Sequence, residues 1–192
     1  MLPRARCGEP RYHCSVGPVL YSARLELRPI TLAIVEAVMT GRRENVEELA
    51  RARVPAAWPG RALVERAFCA SLENIRADPE TRLWGDRLMI AHDEAEPRVV
   101  GSVVFHGRPG ADGICEIGYG VEEQSQRLGF ATEAVAASVT WALAEPEAQT
   151  VQATTFGWHT ASIRVLEKVG FGRAGTRDHE TLGELLVFER RR

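Results

Sequence analysis

Lysine is almost absent from this chain, and neither sign of charge dominates it. Lys168 is the only lysine, and 24 basic against 26 acidic residues give a formal net charge of −2. A protein that binds nucleic acid through many phosphates carries a basic excess, so the charge count argues against a nucleic-acid partner. The preference for arginine over lysine is best explained by codon or genome bias.

Long apolar runs are also missing. No stretch approaches the ~20 apolar residues that span a bilayer, and residues 1–17 lack the apolar centre of a secretory signal. We therefore expect a cytoplasmic protein with no membrane partner and with reduced cysteines. Cys7, His13 and Cys14 would supply only three ligands of a zinc site, in a spacing that fits no common site, so no metal is expected.

Several familiar catalytic motifs are absent as well. The chain has no P-loop, no G-x-S-x-G nucleophile elbow and no H-E-x-x-H metalloprotease helix. Gly118-x-Gly120 begins like a dinucleotide fingerprint, but Glu123 occupies the position of the third glycine. Most of the common catalytic arrangements are therefore excluded.

The composition is that of a globular protein. Hydrophobic residues make up 45% of the 192 residues and charged residues 26%, and this length suits one domain. Residues 1–20 contain three prolines and two glycines and show no periodic pattern. We therefore predict a flexible N-terminal arm over residues 1–20 and a single domain over residues 21–192.

Apolar periodicity predicts the order of the elements. Leu25–Arg28 alternates like a strand, and Thr31 can cap a helix with Leu32, Val35 and Met39 on one face. Trp58 lies in a turn-rich link, where a core position is favoured over a place in an acceptor groove. The remaining predicted elements are helices over 42–53 and 61–77, three antiparallel strands within 84–121, a helix over 129–144, a strand at 151–155, a helix over 161–169 and strands near 171–178 and 184–189. This order predicts an α+β fold with one sheet and helices packed on it.

One segment between a predicted strand and helix has the features of an anion site. We call residues 126–132 the cradle. The first N–H groups of a helix have no partner within the helix, and the helix dipole adds about half a positive charge there. Gly129 and Ala131 leave room for a diphosphate to approach the backbone, and Arg127 adds a full charge. An ordinary helix start with a turn glycine would show the same spacing.

Two motifs in this order resemble those of the GCN5-related N-acetyltransferases. Gln126–Ala131 matches the family's Q/R-x-x-G-x-G/A motif, and Ala161–Phe171 is similar to its second acetyl-CoA element. Together with Glu116-Ile117-Gly118-Tyr119, the chain looks most like the Rim-type branch, known for acetylating protein N-termini. The resemblance runs from about Leu25 to Phe188. It implies a mixed, mostly antiparallel central sheet flanked by helices, with a V-shaped opening for acetyl-CoA.

The resemblance also implies how acetyl-CoA binds. The pantetheine arm would pair with the exposed edge of the strand at 119–121, and a backbone N–H near Gly120 or Val121 would bind the acetyl oxygen. The pyrophosphate would lie on the backbone amides of residues 126–131, within the cradle. The cofactor-binding residues expected on this basis are Tyr119, Gly120, Val121, Gln126, Arg127, Leu128, Gly129, Phe130, Ala131, Thr132, His159 and Ser162.

For the chemistry, the resemblance implies direct attack of an amine on the thioester. Glu116 is the expected general base, through water, because it lies in an apolar strand where burial favours proton uptake by a carboxylate. A surface strand residue is its alternative interpretation, and His106, at the end of the neighbouring strand, is the other candidate base. Cys115 has no basic partner nearby in sequence, so we expect a small core residue and not a nucleophile.

Two positions depart from the family pattern. His159 stands where many members have Asn, and Leu166 where many have a Tyr acid. Ser162 could instead hydrogen-bond the CoA sulfur, or it could cap the helix.

The expected function is an acetyl-CoA-dependent N-acetyltransferase acting on a protein N-terminus or a small amine. A non-catalytic acyl-CoA-binding module and an interaction protein with the same fold are the alternatives. Family members are often dimers, and a homodimer stays open.

Overall fold

The structure is a computed structural model that describes residues 17–56, 58–59, 72–92, 95–181 and 183–192. Three of the four cysteines, at positions 7, 14 and 69, lie outside the described residues, as does His13. Most of the predicted arm and residues 61–71 of the second predicted helix also lie outside them. Cys115 is the cysteine that the structure describes.

In the described part of the chain, eight strands form one sheet in the order β1-β2-β3-β4-β5-β6-β8-β7. Neighbouring strands are antiparallel except β5 and β6, which run parallel. The predicted mixed, mostly antiparallel sheet is therefore confirmed. The strands are β1 (Leu20–Tyr21), β2 (Leu25–Pro29), β3 (Arg87–Ala91), β4 (Arg98–Phe105), β5 (Ile114–Val121), β6 (Thr150–Thr155), β7 (Gly172–His179) and β8 (Gly183–Arg191).

The helices begin and end at residues with capping geometry. Thr31 accepts a hydrogen bond from the backbone N–H of Ile34, and Gly170 ends the last helix in the left-handed conformation, with φ 89°. Arg51, with φ 49°, ends the second helix sooner than predicted. The described helices are α1 (Leu32–Met39), α2 (Arg43–Ala50), α3 (Leu72–Ala77), α4 (Pro79–Arg82), α5 (Phe130–Ala144) and α6 (Thr160–Val169). None of them is long and apolar enough to cross a membrane.

The buried face of α1 differs from the predicted one. Ile34, Val35 and Ala37 are buried, whereas Leu32 and Met39 remain partly exposed. The helix packs against α2 as well as against the sheet. The buried face is therefore rotated about the helix axis relative to the predicted face. It includes Ile34 and Ala37, and Val35 belongs to both the predicted and the observed face.

Each face of the sheet carries an apolar core. On one face α5 and α6 pack on a cluster that includes Leu27, Phe130 and Leu166. On the other face α1 and α2 cover a cluster that includes Leu88 and Trp58. Trp58 is thus a core residue, as the favoured interpretation predicted. The second cluster contains strand residues of β3 and β4 and none of β5, so α1 and α2 leave that face of β5 open to a ligand.

The folded domain begins before residue 21. Leu20 pairs with Leu27 across β1 and β2, and the buried Arg87 donates a hydrogen bond to the carbonyl of Pro18 at 3.3 Å. Residues 17–20 of the predicted arm therefore pack on the domain.

Candidate active site

Strands β5 and β6 run side by side over a short distance only. Their parallel pairing is limited to three residue pairs, Ile114 with Thr150, Cys115 with Val151 and Glu116 with Gln152. Beyond Glu116, β5 continues to Val121 and stays paired with β4 on its other side. Among the described strands, none pairs with this part of β5 on the side of β6. The two strands therefore open into a V, and β5 beyond Glu116 has a free backbone edge on the side of the opening.

Alternate residues of β5 point to opposite faces of the sheet. Cys115 and Ile117 belong to the core beneath α5 and α6, and Tyr119 packs against that core. Gly118 and Gly120 lie on the other face, where a Cβ at Gly120 would meet nothing within 4 Å. This face of the sheet therefore has open space over the backbone of Gly120, at the centre of the V.

The cradle follows β5 and has the backbone geometry of an anion site. Arg127 adopts φ 64° and Gly129 φ 88°, and such left-handed residues turn successive N–H groups toward one side of a loop. Gly129 is the N-cap of α5 and offers no side chain to the first helical N–H groups. Phe130 is buried in the core, so it can contribute only its backbone to a ligand. These amides and the exposed Arg127 form a surface of positive potential.

Other expected cofactor residues lie around the cradle. The Gln126 side chain donates a hydrogen bond to the carbonyl of Val121 at 3.1 Å and so ties the cradle to the end of β5. Thr132 is half-buried in the first turn of α5. His159 occupies the N-cap position of α6 but makes no side-chain cap hydrogen bond. Its ring lies 5.6 Å from the ring of Trp158, which is 74% exposed.

Tyr119 and Ser162 connect the two sides of the V. The Tyr119 hydroxyl donates a hydrogen bond to the Ser162 carbonyl at 3.1 Å and lies 3.0 Å from its Oγ. Burial raises the pKa of Tyr119, and the hydrogen bond with Ser162 partly opposes that shift. Two protonated hydroxyl groups thus meet at the first turn of α6. The sequence predicted Tyr119 only as a backbone contact, because a pair 43 positions apart leaves no local signal.

Glu116 lies in a polar cluster, which corrects the expectation of an apolar setting. Its carboxylate accepts hydrogen bonds from Thr154 Oγ1 at 2.8 Å and from Arg177 Nη1 at 3.0 Å. Arg177 also donates to the side-chain oxygen of Gln152. The Glu116 side chain is 20% exposed and forms an ion pair with Arg177. The sequence missed Arg177 because it comes from β7, although alternating Gln152 and Thr154 marked one polar face of β6.

His106 lies beside Glu116. The backbone N–H of His106 donates to the carbonyl of Glu116 at 3.0 Å, so the two residues stand opposite each other and share one face of the sheet. His106 is exposed, and a Cβ at Gly118 would lie 4.0 Å from its Nε2. Both candidate bases therefore border the same open surface next to Gly118.

Cys115 is buried on the opposite face. Its Sγ lies 3.8 Å from the carbonyl of Thr150, and burial raises its pKa to about 12. Such a thiol carries almost no thiolate at neutral pH, so it is no nucleophile. Among the described residues, no group of three or more His, Cys, Asp or Glu side chains could hold a metal ion.

Comparison with known proteins gives one consistent result. Residues 24–172 match the family model described as an acetyltransferase (GNAT) domain. A Bacillus subtilis protein named uncharacterized N-acetyltransferase YjdG is 26% identical over 153 residues, which cover 80% of this chain and 89% of that protein.

Solved structures share the fold. The chain is similar to RimL, a ribosomal L7/L12 alpha-N-protein acetyltransferase in complex with coenzyme A, with a TM-score of 0.61 and 14% identity over 91% of this chain and 98% of that one. It is also similar to Mycobacterium smegmatis RimJ in complex with CoA-disulfide, with a TM-score of 0.60 and 18% identity over 91% of this chain and 87% of that one.

Proposed function

Because the chain belongs to the GNAT family of acetyltransferases, whose model covers residues 24–172, we propose that it transfers an acetyl group from acetyl-CoA to a primary amine by direct attack. The acceptor is a protein N-terminus or a small amine. One observation carries the proposal: the free edge of β5, beyond its last pair with β6, continues through a single 3-10 turn at Glu123–Ser125 into the cradle. An extended thioester can lie along this edge with its diphosphate on the helix amides.

In this proposal the cradle binds acetyl-CoA through charge and backbone donors. The N–H groups at the start of α5 and the guanidinium of Arg127 bind the diphosphate. The free edge of β5 pairs with the pantetheine amides, and Gly120 leaves the space that they need. A backbone N–H near Gly120 or Val121 stabilises the negative charge that develops on the acetyl oxygen.

The chemical steps are assigned to groups on the two faces of β5. The attacking amine gives its proton to Glu116 through water, with His106 as the alternative acceptor. The new C–N bond forms as the C–S bond breaks. The Ser162 hydroxyl donates a hydrogen bond to the leaving sulfur, and the thiolate takes its proton from water. The hydroxyl of Tyr119, 3.0 Å from Ser162 Oγ, holds the Ser162 hydroxyl in place.

An assay of thiol release tests the proposal. The protein is incubated with acetyl-CoA and a panel that contains short peptides with free N-termini, polyamines, amino acids and aminoglycosides. Release of CoA above the hydrolysis background, with acetylated amine found by mass spectrometry, is the expected result. Tight CoA binding without turnover on any amine would favour the non-catalytic acyl-CoA-binding module.

Two variants separate binding from chemistry. Arg127→Glu places a negative charge in the cradle and is expected to weaken CoA binding about tenfold or more, a loss of roughly 1.4 kcal/mol. Glu116→Gln keeps the size of the side chain and is expected to lower kcat with little change in CoA affinity. Calorimetry and steady-state kinetics measure the two effects. Equal losses of affinity and turnover in both variants would contradict these roles.

A further inference from the structure

We propose that Arg24 and Glu133, 109 positions apart in the chain, form a clamp that orients the cradle for diphosphate binding. Arg24 lies between β1 and β2, and Glu133 lies in the first turn of α5. Neither residue belongs to the motifs that carry the family resemblance. The inference rests on the proposed acetyl-CoA site and assigns to these two side chains a positioning role within it.

The contacts of Arg24 use every nitrogen of its guanidinium. Nη1 donates to the carbonyl of Leu128 at 3.0 Å, while Nε and Nη2 contact Glu133 Oε2 at 2.9 and 2.8 Å. The guanidinium also stacks over the ring of Phe130, 4.7 Å from its centroid. Arg24 therefore contacts three residues at the junction of the cradle and α5.

The bond to Leu128 determines where an amide of the cradle points. A trans peptide is planar, so the Leu128 carbonyl and the N–H of Gly129 point in opposite directions. Because Arg24 binds this carbonyl, the N–H of Gly129 is turned away from Arg24. A Cβ at Gly129 would lie 3.3 Å from Arg24 Nη2, so the guanidinium packs closely against this turn and holds it.

Glu133 presents an electrostatic problem that Arg24 solves. A carboxylate in the first turn of α5 interacts favourably with the positive end of the helix dipole. The same carboxylate repels a diphosphate that binds at this end of the helix. Burial opposes ionisation of Glu133, but hydrogen bonds from the Ser22 hydroxyl and from Arg24 outweigh it and lower its pKa. Both Glu133 oxygens are engaged, Oε1 by Ser22 Oγ and by the backbone N–H of Arg24 at 2.7 Å each. The charge of the ionised carboxylate is thus compensated by Arg24, and Ser22 adds a further hydrogen bond.

Calorimetric titration with CoA, and with pantetheine at millimolar concentration, tests the clamp. Pantetheine lacks the diphosphate and the nucleotide. Arg24→Gln is expected to weaken CoA binding about tenfold and to leave pantetheine binding within about twofold. The double variant Arg24→Gln/Glu133→Gln removes the uncompensated carboxylate and is expected to recover part of the lost CoA affinity. Arg28→Gln is the matched control, because Arg28 ion-pairs with Glu26 on β2.

The outcomes distinguish a failure of the proposed clamp from a failure of the proposed acetyl-CoA site. Wild-type affinity of Arg24→Gln for CoA would overturn the clamp, and so would equal losses of CoA and pantetheine binding, which would indicate a general structural role. A double variant that binds CoA no better than Arg24→Gln would overturn the electrostatic part of the argument. Failure of the wild-type protein to bind CoA would instead overturn the proposed function, and the clamp with it.

Discussion

At the scale of single residues, burial holds two side chains of β5 in their neutral forms. The pKa of Cys115 is raised from 9.0 to about 12, and burial also raises the pKa of Tyr119. A group whose folded pKa lies above its unfolded pKa contributes stability that is complete below the unfolded pKa. That stability is lost as the pH rises through the folded pKa. Both residues therefore make the fold sensitive to alkali.

We expect the free energy of unfolding to fall as the pH rises above about 9, by at most about 1.4 kcal/mol per pH unit from Cys115. Urea denaturation between pH 8 and pH 10.5 measures the slope. Cys115→Ala should have a shallower slope than the wild-type protein and should keep its acetyltransferase activity, because Cys115 is no nucleophile. Parallel slopes for the two proteins would show that this thiol does not titrate differently on unfolding.

Arg177 offers a second test at this scale. Its guanidinium donates a hydrogen bond to Glu116 Oε2 at 3.0 Å, so Arg177→Met should leave that carboxylate with Thr154 as its remaining hydrogen-bond donor. If Glu116 is the base, the carboxylate loses part of its orientation, and kcat should fall with little change in CoA affinity. Arg173→Met, an exposed arginine on the same strand, is the matched control. A kcat that is the same in both variants would argue against Glu116 and in favour of His106.

At the scale of elements, alanine substitutions at two glycines on adjoining strands should have different effects, one on the stability of the fold and the other on CoA binding. A Cβ at Gly101 in β4 would lie 2.2 Å from the carbonyl oxygen of Gly120 in β5, whereas a Cβ at Gly120 would meet nothing within 4 Å. Gly101→Ala should therefore lower the free energy of unfolding by about 3 kcal/mol. Gly120→Ala should leave it within about 0.5 kcal/mol and yet reduce CoA binding, because the added methyl group enters the open space over the backbone of the free edge.

Thermal unfolding and calorimetry on both glycine variants measure these effects. A Gly120→Ala protein with wild-type affinity and turnover would show that acetyl-CoA does not pass close to this backbone. A stable Gly101→Ala protein would show that β4 and β5 can move apart at little cost.

The last strand, β8, stabilises the C-terminal end of α6 through one arginine. Arg190 Nη1 donates to the carbonyl of Val169, in the final turn of the helix, at 2.8 Å. Arg190→Ala should lower the free energy of unfolding by about 1 kcal/mol, because this carbonyl loses a cationic donor at the negative end of the helix dipole. Arg191→Ala is the control, since its pair with Glu189 leaves Arg191 76% exposed and is worth about 0–1 kcal/mol. Urea denaturation that ranks Arg191→Ala as the more damaging change would contradict this assignment.

At the scale of the whole molecule, the sheet has one weak seam. Strands β6, β8 and β7 join the rest of the sheet through only three residue pairs between β5 and β6. A ligand in the V contacts both sides of this seam and binds the native state. CoA at about 100 times its Kd should therefore stabilise the fold by about 2.7 kcal/mol and raise the Tm by about 5–10 °C. A Tm that does not respond to CoA would contradict binding at the seam.

Much of the fold could be predicted from local pattern. Alternation predicted β2, Thr31 and Gly170 predicted helix boundaries, and the strand-to-helix passage at 117–132 predicted the cradle. Such features follow from hydrogen bonds and side-chain periods within a few residues, which a single segment contains. The face of α1 could not be predicted in the same way, because it depends on where α2 packs.

The composition and order of residues by themselves determined the class of fold, the order of its elements apart from β1 and α4, and the helix N-terminus at the cradle. Tertiary structure alone decided which residues meet around the candidate site. Arg177 contacts Glu116, Tyr119 contacts Ser162, and Arg24 contacts Leu128. The reason is physical. An element forms through contacts between neighbours in the chain. These three contacts instead join residues that are 61, 43 and 104 positions apart, in the order just given. They exist only once strand register and helix packing have brought distant segments together.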